Sequence, residues 1–259
     1  MESAQRKKNN LLLVLSSIFI TNAVVAELIG VKLFSLEKTL GFAPVQWKLF
    51  SGHVLDFNLT AGVLIWPVVF ITTDIINEYF GVKGVRRISI ITTCLILYVF
   101  LVIYIVTFLQ PAPFWLQINN VDSHGNPFDI QYAFNTIFRQ GLGIMLGSVV
   151  AFLVGQFLDM YIFHQLKKAT GNKKIWLRAT GSTLVSQLLD SFVVLTIAFY
   201  WFGNWSWSQL VSVAIINYIY KLSIAILLTP LLYVAHLLID RYLGHDSALR
   251  LTKRSMEQN

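Results

Sequence analysis

Two carboxylates at the end of a long apolar run, Asp74 and Glu78, are the residues of this sequence best suited to binding chemistry. Their spacing puts both side chains on one face of a helix, one turn apart. The preceding residues 59–71 are almost purely apolar, which predicts that this helix lies in a membrane. An ionised aspartate near a bilayer centre costs about 2.5–3.5 kcal/mol, so such residues normally face a protein interior or a water-filled path. The pair therefore predicts a polar site inside a membrane protein.

The composition fits a membrane setting. Of the 259 residues, 56% are hydrophobic and only 13% are charged, whereas a soluble domain carries about 25% charged residues. A hydrocarbon core about 30 Å thick needs about 20 helical residues to cross it. Six segments reach that length: residues 11–34, 59–80, 88–109, 133–163, 179–202 and 209–239. The sequence thus predicts an all-α polytopic membrane protein with six transmembrane helices.

The net charge of +7 arises from basic residues that cluster in alternate connections between the spans. Basic residues cluster before the first span, after the second, between the fourth and fifth, and after the sixth: Arg6, Lys7, Lys8, Lys83, Arg86, Arg87, Lys167, Lys168, Lys173, Lys174, Arg178, Arg241, Arg250, Lys253 and Arg254. The other connections hold only Lys38 and Lys48. This alternation is the positive-inside pattern and predicts that both termini are cytoplasmic. The basic residues are therefore explained by the membrane topology, and no nucleic-acid partner is expected.

The first span begins like a signal peptide, with basic residues before Leu11 and small residues at 24–26. An uncleaved helix is favoured because the apolar stretch continues through Ile29 and Val31. The following connection, 35–58, alternates apolar residues around Trp47–Leu55, which predicts a short hairpin.

The fourth segment carries small residues at four-residue intervals that end at an aspartate: Gly143, Gly147, Ala151, Gly155 and Asp159. Small residues at that spacing let another helix backbone approach closely, so this face is predicted to be a packing seam. The partner helix belongs either to the same chain or to a second copy, which leaves a homodimer open.

Polar residues recur within most of the spans. They are Asn22, Glu27, Lys32, Thr73, Asp74, Asn77, Glu78, Arg139, Gln140, Gln156, Asp159, Gln187, Asp190, Asn217 and Lys221. Asp190 and Lys221 lie at similar depth and are predicted to pair, because an unpaired buried charge is strongly unfavourable. Any one of these groups could merely hold helices together, but so many ionisable groups favour a functional cavity. Carboxylates that accept paired N–H donors, together with aromatic faces that stack on rings, suit a small polar heterocycle.

An enzyme is the rival class. His236 and Asp240 lie four residues apart near the end of the last span and are the candidates for such chemistry. The sequence has no H-E-x-x-H, no G-x-S-x-G and no P-loop motif. We therefore expect neither catalysis nor a bound metal or cofactor.

Four motifs occur in order along residues 11–240. They are Pro67-x-x-Phe70-x-x-Thr73-Asp74 with Gly81 and Arg86-Arg87, then Gly155-Gln156-x-x-Asp159, then Ser182-Thr183-Leu184 with Gln187 and Asp190, and finally Lys221. With these motifs the chain resembles the queuosine precursor transporters, a family of six-helix bacterial membrane proteins once called vitamin uptake transporters.

The resemblance implies import of 7-cyano- or 7-aminomethyl-7-deazaguanine across the bacterial cytoplasmic (inner) membrane, for queuosine in tRNA. It also implies a fold like that of the substrate-binding subunits of energy-coupling-factor (ECF) importers, with the transporter domain at 1–240 and a basic cytoplasmic tail at 241–259. Two alternatives stay open: a binding subunit for another vitamin that works with an ATPase, and a membrane-embedded enzyme.

The predicted substrate site combines the family motifs with the polar residues of the spans: Phe70, Asp74, Asn77, Gln156, Asp159, Gln187, Asp190 and Lys221. Asp74 or Asp190 would accept hydrogen bonds from the guanine-like edge, and Lys221 would keep Asp190 ionised. Glu78, beside Arg86 and Arg87, is predicted to form a gate or an ion pair. Arg139, one turn before Gly143, is predicted to replace a basic residue that relatives carry near that position.

Overall fold

The computed structural model describes residues 2–30, 32–43, 47–49, 53–55, 57–139, 142–170, 175–201 and 205–256. The helices are α1 (Glu2–Ile29), α2 (Leu36–Thr39), α3 (Trp66–Val106), α4 (Pro113–Ile118), α5 (Ile130–Phe138), α6 (Leu142–Thr170), α7 (Ile175–Leu195), α8 (Trp207–Leu243) and α9 (His245–Met256). A 3₁₀ helix, Ala61–Leu64, precedes α3, and a π-helical segment, Thr196–Trp201, continues α7.

Among the described residues, five helical segments are long and apolar enough to cross a membrane: Gln5–Ile29, Trp66–Val106, Gly147–Thr170, Leu177–Trp201 and Trp207–Leu243. Large apolar side chains on these helices remain exposed, as for Leu101, Leu227 and Leu237 at 57%, 71% and 66%. Such exposure suits contact with lipid rather than water. The prediction of a polytopic membrane protein built from helices is confirmed.

Helix α3 bends at Gly81. The helix has 41 residues, and Gly81 interrupts it with φ 70° and ψ −174°, a conformation that is essentially restricted to glycine. A straight helix of that length would extend roughly 60 Å, about twice the hydrocarbon thickness. The bend divides α3 into residues 66–80 and 82–106, which correspond to the predicted second and third spans.

The predicted fourth span, 133–163, is wrong as a single segment because its residues belong to two helices. Helix α5 starts at the Asp129 cap, whose side chain accepts the Tyr132 N–H at 2.9 Å, and ends at Arg139. Helix α6 begins at Leu142 and continues to Thr170, seven residues beyond the predicted end. Arg139 is thus the C-cap of α5 and does not lie one turn before Gly143 on a shared helix. Hydropathy could not separate the two helices, because both are apolar and follow each other closely.

Within the described residues, four short strands precede the 3₁₀ helix along the chain and form two antiparallel pairs. Strand β1 (Leu33–Ser35) pairs with β4 (Asn58–Thr60), and β2 (Trp47–Leu49) pairs with β3 (His53–Leu55). The second pair confirms the predicted hairpin. Buried Glu37 of α2 accepts hydrogen bonds from the Ser35 hydroxyl and from the Phe57 N–H, at 3.0 and 2.8 Å.

The glycine-rich face of α6 packs against α7 and its π-helical continuation. A Cβ added at Gly147 would lie 3.1 Å from the Ala198 nitrogen, and one at Gly155 would lie 3.5 Å from the Asp190 Cβ. At these two glycines the predicted packing seam is confirmed, and its partner is a helix of the same chain. The close approach brings Asp190 against the α6 backbone.

The start of α1 and the end of α8 lie at the same end of the bundle. Lys7 Nζ donates to the Tyr242 carbonyl at 3.0 Å and lies 5.5 Å from the centre of its ring. Helix α9, which contains the predicted tail residues 245–256, is also at this end, where Ser255 donates to the Glu78 carbonyl at 2.7 Å. We call this the basic end, since it includes Lys7, Lys167 and Arg178.

Candidate functional site

Three neighbouring cavities inside the described bundle share the Trp66 side chain. The Asp74 cavity, between α3, α7 and α8, has an empty volume of about 520 Å³. The Asp159 cavity, between α3, α6 and α7, has about 270 Å³. The Glu27 cavity lies towards the end opposite to the basic end and has about 1460 Å³. All three volumes include space open to the surroundings.

The Asp74 cavity contains an unsatisfied carboxylate beside aromatic rings. Asp74 is only 6% exposed, and its Oδ1 has no hydrogen-bond partner among the described residues. Trp66 and Phe70 line the same cavity, with their rings stacked at 5.8 Å between centroids and 20° between planes. Burying an acceptor without a donor costs about 1–3 kcal/mol, which a ligand with N–H groups would offset.

The Asp159 cavity is lined by acceptors that α7 and α3 partly satisfy. Asp159 accepts hydrogen bonds from Ser186 at 3.2 Å and from Thr183 at 3.5 Å. The Gln156 Oε1 accepts the Thr73 hydroxyl at 3.2 Å. The Gln187 Oε1 is buried with no hydrogen-bond partner in the described chain. The Asp74 and Asp159 cavities share the side chains of Trp66 and Phe70, so the two carboxylates belong to one acidic region.

The ion pair of Lys221 with Asp190 stands where the three cavities meet. Lys221 Nζ donates to Asp190 Oδ2, which confirms the predicted pairing of α8 with α7. Lys221 lines the Asp74 and Glu27 cavities, and Asp190 lines the Asp159 and Glu27 cavities. One Asp190 oxygen is therefore already engaged, whereas Asp74 keeps an oxygen free for a ligand.

Seven of the eight predicted substrate-binding residues line these cavities: Phe70, Asp74, Gln156, Asp159, Gln187, Asp190 and Lys221. The eighth, Asn77, does not line any of the three, and its amide donates to the Met160 carbonyl at 3.3 Å. Asn77 thus ties α3 to α6.

Glu78 lies in a buried ion pair at the basic end. Its Oε2 is 2.8 Å from an Arg178 guanidinium nitrogen and 3.4 Å from Lys167 Nζ. Lys167 also donates to the Glu78 carbonyl and to the Ser255 hydroxyl, both at 2.6 Å. The predicted neighbours of Glu78 were wrong, since Arg86 and Arg87 are exposed on the far side of the Gly81 bend. The observed cluster instead joins α3, α6, α7 and α9.

Arg139 lies outside the cavities, at the end of α5. Its guanidinium donates to the Thr107 hydroxyl and carbonyl at 2.8 and 2.9 Å and lies 4.3 Å from the centre of the Phe108 ring. Within the described residues it forms no ion pair. This arginine holds the connection after α3 against α5. In the same connection, N–H groups of Asn126 and His124 donate to Asp122 and lower its pKa.

His236 and Asp240, the candidates for an enzyme, bind a tyrosine of α3. The Tyr79 hydroxyl donates to Asp240 at 2.6 Å and lies 3.0 Å from the His236 Nδ1. The two rings are 5.3 Å apart. This contact fastens α8 to α3 near the basic end.

Sequence reasoning missed four residues that contribute to the candidate site or to the cluster at the basic end. Trp66 touches all three cavities, but its position beside Pro67 in an apolar run was not a sign of binding. Lys167 and Arg178 were interpreted only as topological charges, and nothing in the sequence distinguishes them from their exposed neighbours. Glu27 was counted among the polar residues of the spans, yet its acidic side chain in an apolar helix was the available signal for a site residue.

Long apolar helices around a buried, partly unsatisfied polar cavity define a polytopic membrane protein with a polar interior. Comparison with known families refines this class. Residues 60–235 match a family described as "Putative vitamin uptake transporter". The chain belongs to this family of vitamin uptake transporters, and its resemblance to queuosine precursor transporters is confirmed.

Three curated relatives carry names of one kind. The chain is similar to a "Probable queuosine precursor transporter" of Bacillus subtilis, with 28% identity over 77% of this chain and 82% of the relative. A protein of the same name from Haemophilus influenzae is 28% identical over 69% of this chain and 68% of the relative. A "Queuosine precursor transporter" of Escherichia coli is 25% identical over 67% of this chain and 70% of the relative. No solved structure matches the chain.

Proposed function

We propose that this protein imports queuosine precursors, namely 7-cyano- or 7-aminomethyl-7-deazaguanine, across a bacterial cytoplasmic membrane. The observation that carries the proposal is the free, buried Oδ1 of Asp74 beside the stacked rings of Trp66 and Phe70. A deazaguanine offers adjacent N–H donors on one edge and a flat face. The names of the three relatives support the same substrate class.

In the proposed binding mode, Asp74 accepts hydrogen bonds from the guanine-like edge of the substrate. The ring stacks on Phe70 or Trp66, and the amides of Gln156 and Gln187 contact the remaining polar atoms. Asp190 does not bind the edge directly, because Lys221 already occupies one of its oxygens. The ion pair instead keeps the meeting point of the cavities polar without leaving a free charge there.

We also propose six membrane crossings with both termini in the cytoplasm. The 3₁₀ helix Ala61–Leu64 and residues 66–80 of α3 together span roughly 30 Å, enough for one crossing. Residues 82–106 make the return crossing. The basic end then faces the cytoplasm, in accord with the positive-inside rule. Substrate would arrive through the Glu27 cavity and leave past the Glu78 cluster, which would act as the cytoplasmic gate.

The test is uptake of labelled precursor by cells that cannot synthesise it. Asp74→Asn keeps the side-chain size but removes the anionic acceptor, so uptake should fall about tenfold or more at equal expression. Asp122→Asn, the same change in an exposed connection, is the matched control and should leave uptake unchanged. Normal uptake by both Asp74→Asn and Asp190→Asn would refute the site assignment.

Uptake must also be measured with the purified chain in liposomes. Transport by the chain alone supports an independent transporter. Uptake that appears only with a co-purified ATPase would instead support the alternative of a substrate-binding subunit. Absence of uptake and of binding for both deazaguanines would refute the substrate class itself.

A further inference from the structure

Glu27 of α1 presents a second unsatisfied carboxylate, away from Asp74. The side chain lines the Glu27 cavity and is 9% exposed. Its Oε2 accepts the hydroxyl of Ser148 on α6, whereas its Oε1 is buried with no hydrogen-bond partner among the described residues. A buried carboxylate oxygen without a donor is unfavourable unless a ligand supplies a positive charge or an N–H group.

The charges that line this cavity do not balance. Among the described residues, those that line it with a charge are Glu27, Asp190 and Lys221. Lys221 and Asp190 neutralise each other, so the carboxylate of Glu27 is left as the excess charge. The remaining polar lining includes the Ser191 hydroxyl, which is also buried without a partner in the described chain. An acidic, partly enclosed cavity of this kind favours a monocation over a neutral molecule.

The rest of the lining suits a flat ring. Trp66, Phe100 and Phe199 contribute aromatic faces to the cavity, and Asn217 adds an amide. A cation that carries a heterocycle could therefore stack its ring on one of these faces while its charged group reaches Glu27. A bare metal ion has no ring that could stack on this aromatic lining.

We propose that Glu27 is a specificity-determining ammonium site that makes the protein prefer a deazaguanine with a primary ammonium group over its neutral nitrile counterpart. This inference rests on the proposed function. The Glu27 Oε1 accepts a hydrogen bond from the substrate ammonium, Ser148 holds the other oxygen in place, and the Ser191 hydroxyl contacts the ring. The aminomethyl compound is protonated at neutral pH like other alkylamines, whereas the cyano compound carries no charge.

The experiment is equilibrium binding of the two deazaguanines to the purified protein in detergent. The wild-type protein should bind the aminomethyl compound more tightly than the cyano compound. Glu27→Gln keeps the shape and removes the charge, so the ratio of the two dissociation constants should fall roughly tenfold to a hundredfold, while the affinity for the cyano compound changes little. Glu27→Asp retains the charge and should retain a preference for the aminomethyl compound.

Glu37→Gln is the matched control, because Glu37 is also a buried glutamate but does not line the cavity. It should leave the ratio unchanged. Equal binding of both compounds by the wild-type protein would overturn the inference without the use of any variant. An unchanged ratio of the two dissociation constants in folded Glu27→Gln would also overturn it. Failure of the wild-type protein to bind either compound would instead refute the proposed function.

Discussion

Lys221 supplies a positive charge at the point where the three cavities meet, where it balances the carboxylate of Asp190. Its ammonium is bound to Asp190 on the neighbouring helix, and both side chains are only partly exposed, at 13% and 20%. Removing one member of such a pair leaves an uncompensated charge, which costs more than the pair itself contributes. The pair can therefore be tested by comparing single and double changes.

Lys221→Met should destabilise the protein by about 1–3 kcal/mol, less than for a fully buried pair because some solvent reaches these side chains. Adding Asp190→Asn to Lys221→Met removes the orphaned charge and should recover most of that loss. Thermal unfolding in detergent, combined as a double-mutant cycle, measures the coupling. Additive effects of the two changes would contradict a direct interaction.

Glu78 offers a second residue-level prediction. Glu78→Gln leaves the buried cations of Lys167 and Arg178 without their carboxylate, so the stability should fall by about 3–5 kcal/mol. Arg87→Gln removes an exposed charge and should change stability by less than about 0.5 kcal/mol. Thermal unfolding of both variants distinguishes the observed cluster from the Glu78–Arg87 pairing expected from the sequence. If Glu78 paired with Arg87, the two variants would lose similar amounts of stability.

The sequence could predict the ion pair of Lys221 with Asp190 but not that of Lys167 with Glu78, and the reason is physical. Lys221 lies midway along an apolar span, where a charge must find a partner, and few candidates share its depth. Lys167 and Arg178 are near helix ends, where the positive-inside rule accounts for a basic residue without requiring any contact. Helix α9 helps to cover Lys167 at this end of the bundle, where Ser255 contacts both Lys167 and Glu78.

Among the elements, α3 links the candidate site to the basic end, since it contributes Trp66, Phe70 and Asp74 to the cavities and Glu78 to the basic end. Hydropathy predicted both of its halves, because each is long and apolar. It did not predict that they form one bent helix, since the bend depends on the backbone of a single residue, Gly81. Hydropathy also predicted α5 and α6 as a single span, because apolar composition does not indicate where a helix ends.

Gly81→Ala should destabilise the protein by about 1–3 kcal/mol, because an L-residue at φ 70° and ψ −174° is strained. It should also lower uptake, since relief of the strain would move residues 66–80, which carry Asp74, relative to residues 82–106. Gly125→Ala introduces a residue at φ 81° in an exposed connection and is the control. It should reduce stability without affecting uptake. Unfolding and uptake at equal expression measure both effects, and wild-type behaviour of Gly81→Ala would contradict a functional bend.

For the molecule as a whole, the contact between Lys7 and Tyr242 has a topological consequence. It places the start of the first helix and the end of the last membrane helix on one side, which requires an even number of crossings. The five long apolar helices of the described residues make the proposed six crossings if one of them crosses twice. Helix α3 is the one with both the length and the bend to do so.

Cysteine labelling in intact cells tests this arrangement. In a Cys94→Ser background, Ser123→Cys lies in the connection between α4 and α5, Lys83→Cys directly follows the bend, and Lys253→Cys is on α9. A membrane-impermeant thiol reagent should label position 123 in intact cells, and positions 83 and 253 only after permeabilisation. If α3 crossed the membrane once as a single helix, position 83 would lie within the bilayer and resist the reagent on both sides. Reactivity at position 83 therefore separates six crossings from five.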